Sequence, residues 1–150
     1  MNEKWKEFLK AVEKKCPQTH IYTQPEECLI YSHGCYPREY KWLLKGDYPY
    51  LTRAVVSPAD EAEISEIVKL ANEYEVSIIP YGGGSGIVGG TIPYQGEIMI
   101  DVKRLQDFSI NIVNGTARGG AGLTGAEFEM SMDTQRVSTH SLSRVHALAE

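Results

Sequence analysis

Apolar side chains recur at helical spacing in two stretches of the chain. Trp5, Phe8, Leu9 and Val12 form one stripe, which ends near Pro17 and predicts a docking helix. Ile64, Ile67, Val68, Ala71 and Tyr74 form the second, with Glu61, Glu66, Lys69 and Glu73 turned outward. Asp60 stands before that stripe with Glu63 three residues on, a capping-box arrangement that satisfies the orphan N–H groups of a first helical turn. Short β-branched runs flank the second helix: Ala54-Val55-Val56, stopped by Pro58, and Ser77-Ile78-Ile79. Residues 53–80 therefore read as a β-α-β unit with parallel strands and a right-handed crossover. That topology brings Ser57 and Pro58 to the same sheet edge as whatever follows Ile79. Residues 19–50, interrupted by Pro25, Pro37 and Pro49, read as loops with short strand pieces. Further on, residues 109–113 are strand-like, Asn114-Gly115 is a hairpin signal, residues 118–122 are the return strand, and Thr124 or Gly125 opens a helix over residues 126–129.

Between the second strand of the β-α-β unit and the apolar run Ile98-Met99-Ile100 lies a stretch with seven of the chain's 14 glycines, from Gly82 to Gly96. Glycine lets a backbone approach a ligand closely, and successive exposed N–H groups make a concave, partly positive surface that suits phosphate oxygens. A flexible Gly/Ser linker is the bland alternative, but linkers are not normally set between two strand-like segments. Gly84-x-Gly86-x-x-Gly89 matches the dinucleotide fingerprint in spacing. That fold, however, needs a helix after the third glycine, and here Gly90-Thr91-Ile92-Pro93-Tyr94-Gln95-Gly96 leads into another strand. No Lys follows the glycines as a Walker loop requires. The remaining reading is strand, glycine loop, strand, with a phosphate held by backbone amides alone.

Composition narrows the partners. The 150 residues are 42% hydrophobic, enough for one ordinary domain, and the net charge of -5 with scattered Lys and Arg argues against nucleic acid. Cys16, Cys28 and Cys35 form no C-x-x-C pair and read as reduced intracellular thiols. The first residues are charged and amphipathic, without the apolar core of a signal peptide or a membrane span, so the expectation is a cytoplasmic protein. His20, His33, His140 and His146 share no metal-ligand spacing, and no metal is expected. His33-Gly34-Cys35 reads as a loop, and Asp101 as a surface charge ending a strand, with contact to ribose or phosphate, together with Lys103 and Arg104, as the alternative.

Tyr31-Ser32, Arg53-Ala54-Val55-Val56-Ser57-Pro58, Ile79-Pro80-Tyr81-Gly82-Gly83-Gly84-Ser85-Gly86, Ile98-Met99-Ile100-Asp101 and Gly120-Ala121-Gly122-Leu123-Thr124-Gly125 occur in that order. As a block they resemble the FAD-linked oxidases of the vanillyl-alcohol oxidase type, with their PCMH-type FAD-binding domain. The branch most similar contains glycolate oxidase, D-lactate dehydrogenase and alkyldihydroxyacetonephosphate synthase. The resemblance implies an α+β fold, here the N-terminal part of that domain with a mixed sheet. Residues 1–52 would be a helix and irregular lead-in, 53–129 the FAD-binding part, and 130–150 a divergent tail. It implies FAD held by its pyrophosphate on Pro80, Tyr81, Gly82, Gly83, Gly84, Ser85 and Gly86, with support from Ile87 and Gly90. Pro58 is a further neighbour of the cofactor, and Gly122, Thr124 and Gly125 are secondary candidates. Some relatives bond the flavin to a His in this loop; Ser85 stands there instead, which implies non-covalent FAD. The branch often has an acidic residue two positions after the Ser of Tyr31-Ser32, where this chain has Gly34. Relatives continue into a separate domain for a small 2-hydroxy-acid substrate, and residues 130–150 do not carry the expected glycine-containing continuation. The tail reads as a shifted frame, a natural truncation or half of a split enzyme. Two functions stay open: an FAD-dependent oxidoreductase, and a non-catalytic module that binds the dinucleotide weakly or not at all.

Overall fold

A computed structural model describes residues 3–134 and 144–147, and its contacts divide the chain into two units, Met1–Val102 and Lys103–Glu150. The first unit begins with α1 (Lys4–Lys15), whose Phe8, Leu9 and Val12 are buried as the stripe predicts. A short strand piece falls in residues 19–50 as expected, β1 (His20–Tyr22), but where the sequence suggests loops the structure has α2 (Pro25–Tyr31) and α3 (Pro37–Lys45). The difference has a physical cause. Pro25 and Pro37, which read as breakers, both occupy the first turn of a helix, where the missing N–H would have had no partner and the fixed φ suits the turn. Gly46, at φ +64°, closes α3 in the left-handed region.

β2 (Val55–Ser57), α4 (Glu61–Glu73), β3 (Ile78–Tyr81) and β4 (Ile98–Asp101) complete the unit. The sheet order is β1-β2-β4-β3, with β1 antiparallel to β2 and the other pairs parallel, so it is mixed as expected. β2 and β3 run in the same direction but do not touch: β4 lies between them. β4 is buried along its whole length. Alternation along the strands sorts the core into two faces. Val56, Ile98 and Ile100 pack with residues of α1 and α4, whereas Val55, Met99 and Tyr81 pack with Tyr22, Ile79 and Tyr31. Pro80 sits in β3, which pairs with β4 alone, the edge position in which a strand tolerates a residue without an N–H.

The α4 stripe is rotated from the sequence expectation. Leu70 is buried and Val68 is exposed, because α1 packs along the Leu70 side. Asp60 caps the helix by accepting from the Glu63 N–H at 2.8 Å. The Glu63 carboxylate also reaches outside the helix. It accepts from the N–H groups of Ala59 and Gln18 and from the Thr19 hydroxyl, tying the exit of α1 to the entry of α4.

The second unit contains a hairpin of β5 (Phe108–Asn111) and β6 (Thr116–Gly119), then α5 (Gly125–Thr134) and β7 (Arg144–Ala147), which pairs parallel with β6. β5 ends two residues before the expected 113 because the Asn111 side-chain oxygen accepts from the N–H groups of Val113 and Asn114 and turns the chain. Part of the stretch expected to be a divergent tail is regular. Thr124 and Glu127 form a capping box, Met132 is buried and α5 continues to Thr134, while backbone pairing with β6 orders β7. The remaining tail positions, 135–143 and 148–150, lie outside the described residues. No helix among the described residues is long and apolar enough to cross a membrane.

Candidate nucleotide-binding loop

The parallel strands β2, β3 and β4 place their C-terminal ends on one side of the first unit, and the glycine loop leaves from Tyr81 at the end of β3. As expected, no helix follows the glycines; residues 82–97 are turns and bends until β4 begins. The N–H groups of Gly82, Gly83, Gly84, Ser85, Gly86 and Ile87 donate to no protein acceptor among the described residues. Gly83, Ser85 and Gly86 are exposed, and a Cβ added at Gly82, Gly83, Gly86 or Gly90 would meet nothing within 4 Å. The loop therefore offers both the open space and the row of unpaired donors that a diphosphate needs. A Cβ at Gly84 would fall on the Tyr81 hydroxyl, and φ there is +67°. The buried Thr91 Oγ1, likewise without a partner, is a further polar atom beside this loop.

Beneath the loop is a rigid polar base. Tyr81 donates to the His33 carbonyl at 3.1 Å, and its ring meets Tyr31 edge-on with centroids 5.2 Å apart. Tyr31 donates to Asp101 at 2.9 Å. Asp101 is thus not the surface charge its place at a strand end suggests: it is 5% exposed, directly beside Tyr81 in the β3–β4 register. Burial first, then the Asp101 carboxylate, pushes the Tyr81 hydroxyl above its ordinary pKa, and the same burial with the bond to Asp101 raises Tyr31. Both hydroxyls stay protonated and keep donating.

His33-Gly34-Cys35 is a loop, as read, but it has a function the sequence did not reveal: it straps the underside of the glycine loop. The Cys35 N–H donates to the Gly86 carbonyl at 3.2 Å. Gly34, where the resemblance expects an acidic residue, receives a carboxylate from elsewhere: its N–H donates to Glu39 Oε2 at 2.6 Å. Glu39 is 1% exposed, and in sequence it looks like an ordinary acid in the first turn of α3. Only the tertiary fold reveals it.

The remaining sequence candidates have local roles. Pro58 is fully buried between β2 and the α4 cap, at the C-terminal end of its strand. In the second unit, Gly122 donates its N–H to the Leu105 carbonyl at 2.8 Å, and both the N–H and hydroxyl of Thr124 bond to Glu127. Gly125 opens α5, and a Cβ added there would meet no atom outside its own helix within 4 Å. Among the described residues no group of three His, Cys, Asp or Glu could hold a metal ion.

Comparison with known proteins agrees with this geometry. A family model described as FAD binding domain matches residues 52–146. D-lactate dehydrogenase of Archaeoglobus fulgidus is 34% identical over 70 residues, 47% of this chain and 16% of the relative. Alkyldihydroxyacetonephosphate synthase of Dictyostelium discoideum is 36% identical over 88 residues, 56% of this chain and 14% of the relative. A solved alkyldihydroxyacetonephosphate synthase superposes with a TM-score of 0.78 at 26% identity, covering 87% of this chain and 25% of that one. The chain thus spans about a sixth of the length of the curated relatives it matches. With a strand–glycine loop–strand of unpaired amides and a family match over most of its length, the chain belongs to the FAD-binding domain family, and its cofactor is FAD.

Proposed function

We propose that this chain is the diphosphate-holding part of an FAD-dependent oxidoreductase acting on a small 2-hydroxy acid, with FAD bound non-covalently on residues 80–87 and Gly90. The observation that carries this is the row of unpaired N–H groups from Gly82 to Ile87, with room above them. Bound FAD would supply the redox chemistry by accepting a hydride equivalent from the substrate carbon. The protein's own contribution is position. The amides fix the diphosphate, and Ser85, at the place where some relatives carry a His, has no imidazole to attach to the ring. Ile87 and Val88, 68% and 84% exposed beside the amides, add apolar surface suited to a ligand that pairs a diphosphate with flat rings. The 2-hydroxy-acid class rests on relatives such as the D-lactate dehydrogenase of Archaeoglobus fulgidus and the glycolate oxidase subunit of Bacillus subtilis, 32% identical over 90 residues.

The solved synthase at TM-score 0.78 favours a second reading, an alkyldihydroxyacetonephosphate synthase-like protein. One experiment separates these readings from a module that binds without catalysis. The protein is purified with added FAD, and flavin absorbance is followed anaerobically with D-lactate or glycolate. Retained yellow colour that bleaches supports the oxidoreductase; retained colour that does not bleach shows that these 150 residues hold FAD without catalysing by themselves and favours the synthase-like or purely binding reading for this chain; a colourless protein at saturating FAD rejects all of them.

A further inference from the structure

The buried carboxylate of Glu39 is unusual among the described residues. It pairs with no Lys or Arg, Oε2 accepts from the Gly34 N–H and from the Tyr48 hydroxyl at 2.8 Å, and Oε1 is buried with no partner at all. An unpaired buried carboxylate oxygen is costly, so stability alone does not explain it. Its partners point to a role. Gly34 lies so close under the glycine loop that an added Cβ would be 3.0 Å from Thr91 Oγ1, 3.2 Å from the Gly84 carbonyl oxygen and 3.4 Å from that of Gly86. The next residue, Cys35, holds the Gly86 carbonyl by its N–H, and the previous one, His33, is held by Tyr81. Tyr48 also reaches the Ser32 carbonyl, at 2.9 Å, and so fixes the other end of the strap.

The consequence follows from peptide geometry. No peptide bond here is cis, and in a trans peptide the C=O of one residue and the N–H of the next point in opposite directions. Carbonyls of Gly84 and Gly86 turned down onto the strap leave the N–H groups of Ser85 and Ile87 turned up into the open space. We propose that Glu39 is a positioning residue for the cofactor: by anchoring Gly34 it holds those two carbonyls down and aims the Ser85 and Ile87 amides at the diphosphate. This rests on the diphosphate being bound at the glycine loop, as proposed above.

The test compares FAD and ADP affinity, by calorimetry well below the melting temperature, in Glu39→Ala, Gly34→Ala, Tyr48→Phe and Glu39→Gln. It also compares exchange of the Cys35 amide without ligand. Glu39→Ala and Gly34→Ala should each raise both Kd values about tenfold, with a double variant little worse than either single, because both loosen one strap. Glu39→Gln keeps an oxygen for the Gly34 N–H and should stay within about threefold of the parent. Cys35 amide exchange should speed up in Glu39→Ala. Unchanged Kd values in folded Glu39→Ala and Gly34→Ala, whatever their melting temperatures, would overturn the positioning role; should Glu39→Ala not fold, Gly34→Ala and Tyr48→Phe decide it. A Gly83→Val/Gly84→Val variant separates the two levels. If that variant still binds FAD, the loop reading itself fails and takes this role with it; if it loses FAD while the strap variants bind normally, only the role of Glu39 fails.

Discussion

Gly83 and Gly84 are chain neighbours under opposite constraints. At Gly84 the backbone is in the left-handed region and a Cβ would strike the Tyr81 hydroxyl, so Gly84→Ala strains the fold whether or not a ligand is present. At Gly83 the space is open and φ is unexceptional, so Gly83→Ala is compatible with the protein alone and intrudes only on what the loop binds. Gly84→Ala is expected to lower unfolding free energy by about 1–2 kcal/mol in urea, and Gly83→Ala by no more than about 0.5 kcal/mol while still weakening FAD. Equal stability losses would mean that the loop's glycines serve the fold alike. The tyrosines make a second test at this scale. Burial, then the bonds to Asp101 and Glu39, raise Tyr31 and Tyr48 above the ordinary value of 10.0. A hydroxyl whose pKa is higher in the folded state stabilises it fully below the unfolded value, and this stabilisation is lost as pH rises beyond about 10. Urea midpoints should therefore hold between about pH 7 and 9 and fall above about pH 10, with a shallower fall in a Tyr31→Phe/Tyr48→Phe variant.

At the scale of elements, α4 shows how capping and tethering differ. Asp60 accepts from the Glu63 N–H of its own helix, whereas the Glu63 carboxylate accepts from Ala59, Gln18 and Thr19 outside it. Asp60→Ala should cost about 1 kcal/mol and Glu63→Ala about 2 kcal/mol in urea unfolding, the larger loss coming from the released exit of α1. A Glu63→Ala cost no greater than that of Asp60→Ala would show that the tether adds nothing. The same helix marks how far local patterns carry. Its existence, its cap, α1, β2, the glycine loop and the hairpin were legible because each is set by residues within a few positions of one another. The burial of Leu70 instead of Val68 was not, since α1 decides it from more than 50 residues away. The insertion of β4 between β2 and β3 is likewise a long-range pairing with no local mark. α2 and α3 were hidden for another reason: a proline that opens a helix and one that breaks it are the same residue. In the candidate site the donors could be read from glycine spacing, but their support could not, because Glu39, Tyr48 and Asp101 are recognisable only once the fold buries them.

For the molecule as a whole, charge and binding have to be reconciled. The chain carries a net charge of -5, and no Lys or Arg occurs between Val76 and Val102, so a doubly anionic diphosphate approaches a negative protein and a loop with no cation of its own. On the proposed loop the attraction comes from amide dipoles, which act over short range and are little affected by salt, while the long-range repulsion from the net charge weakens as salt screens it. A lysine- or arginine-based phosphate site would behave the opposite way, losing affinity as ionic strength rises. The Kd for FAD is accordingly expected to change by less than about twofold between roughly 50 and 500 mM KCl, or to improve slightly. Because ligand that binds only the folded state stabilises it by mass action, FAD at 100 times its Kd should add about 2.7 kcal/mol at both salt concentrations, read as a rise in urea midpoint. The Gly83→Val/Gly84→Val variant should show no rise at either. A tenfold loss of affinity at high salt would place cationic side chains at the diphosphate and contradict binding by backbone amides alone.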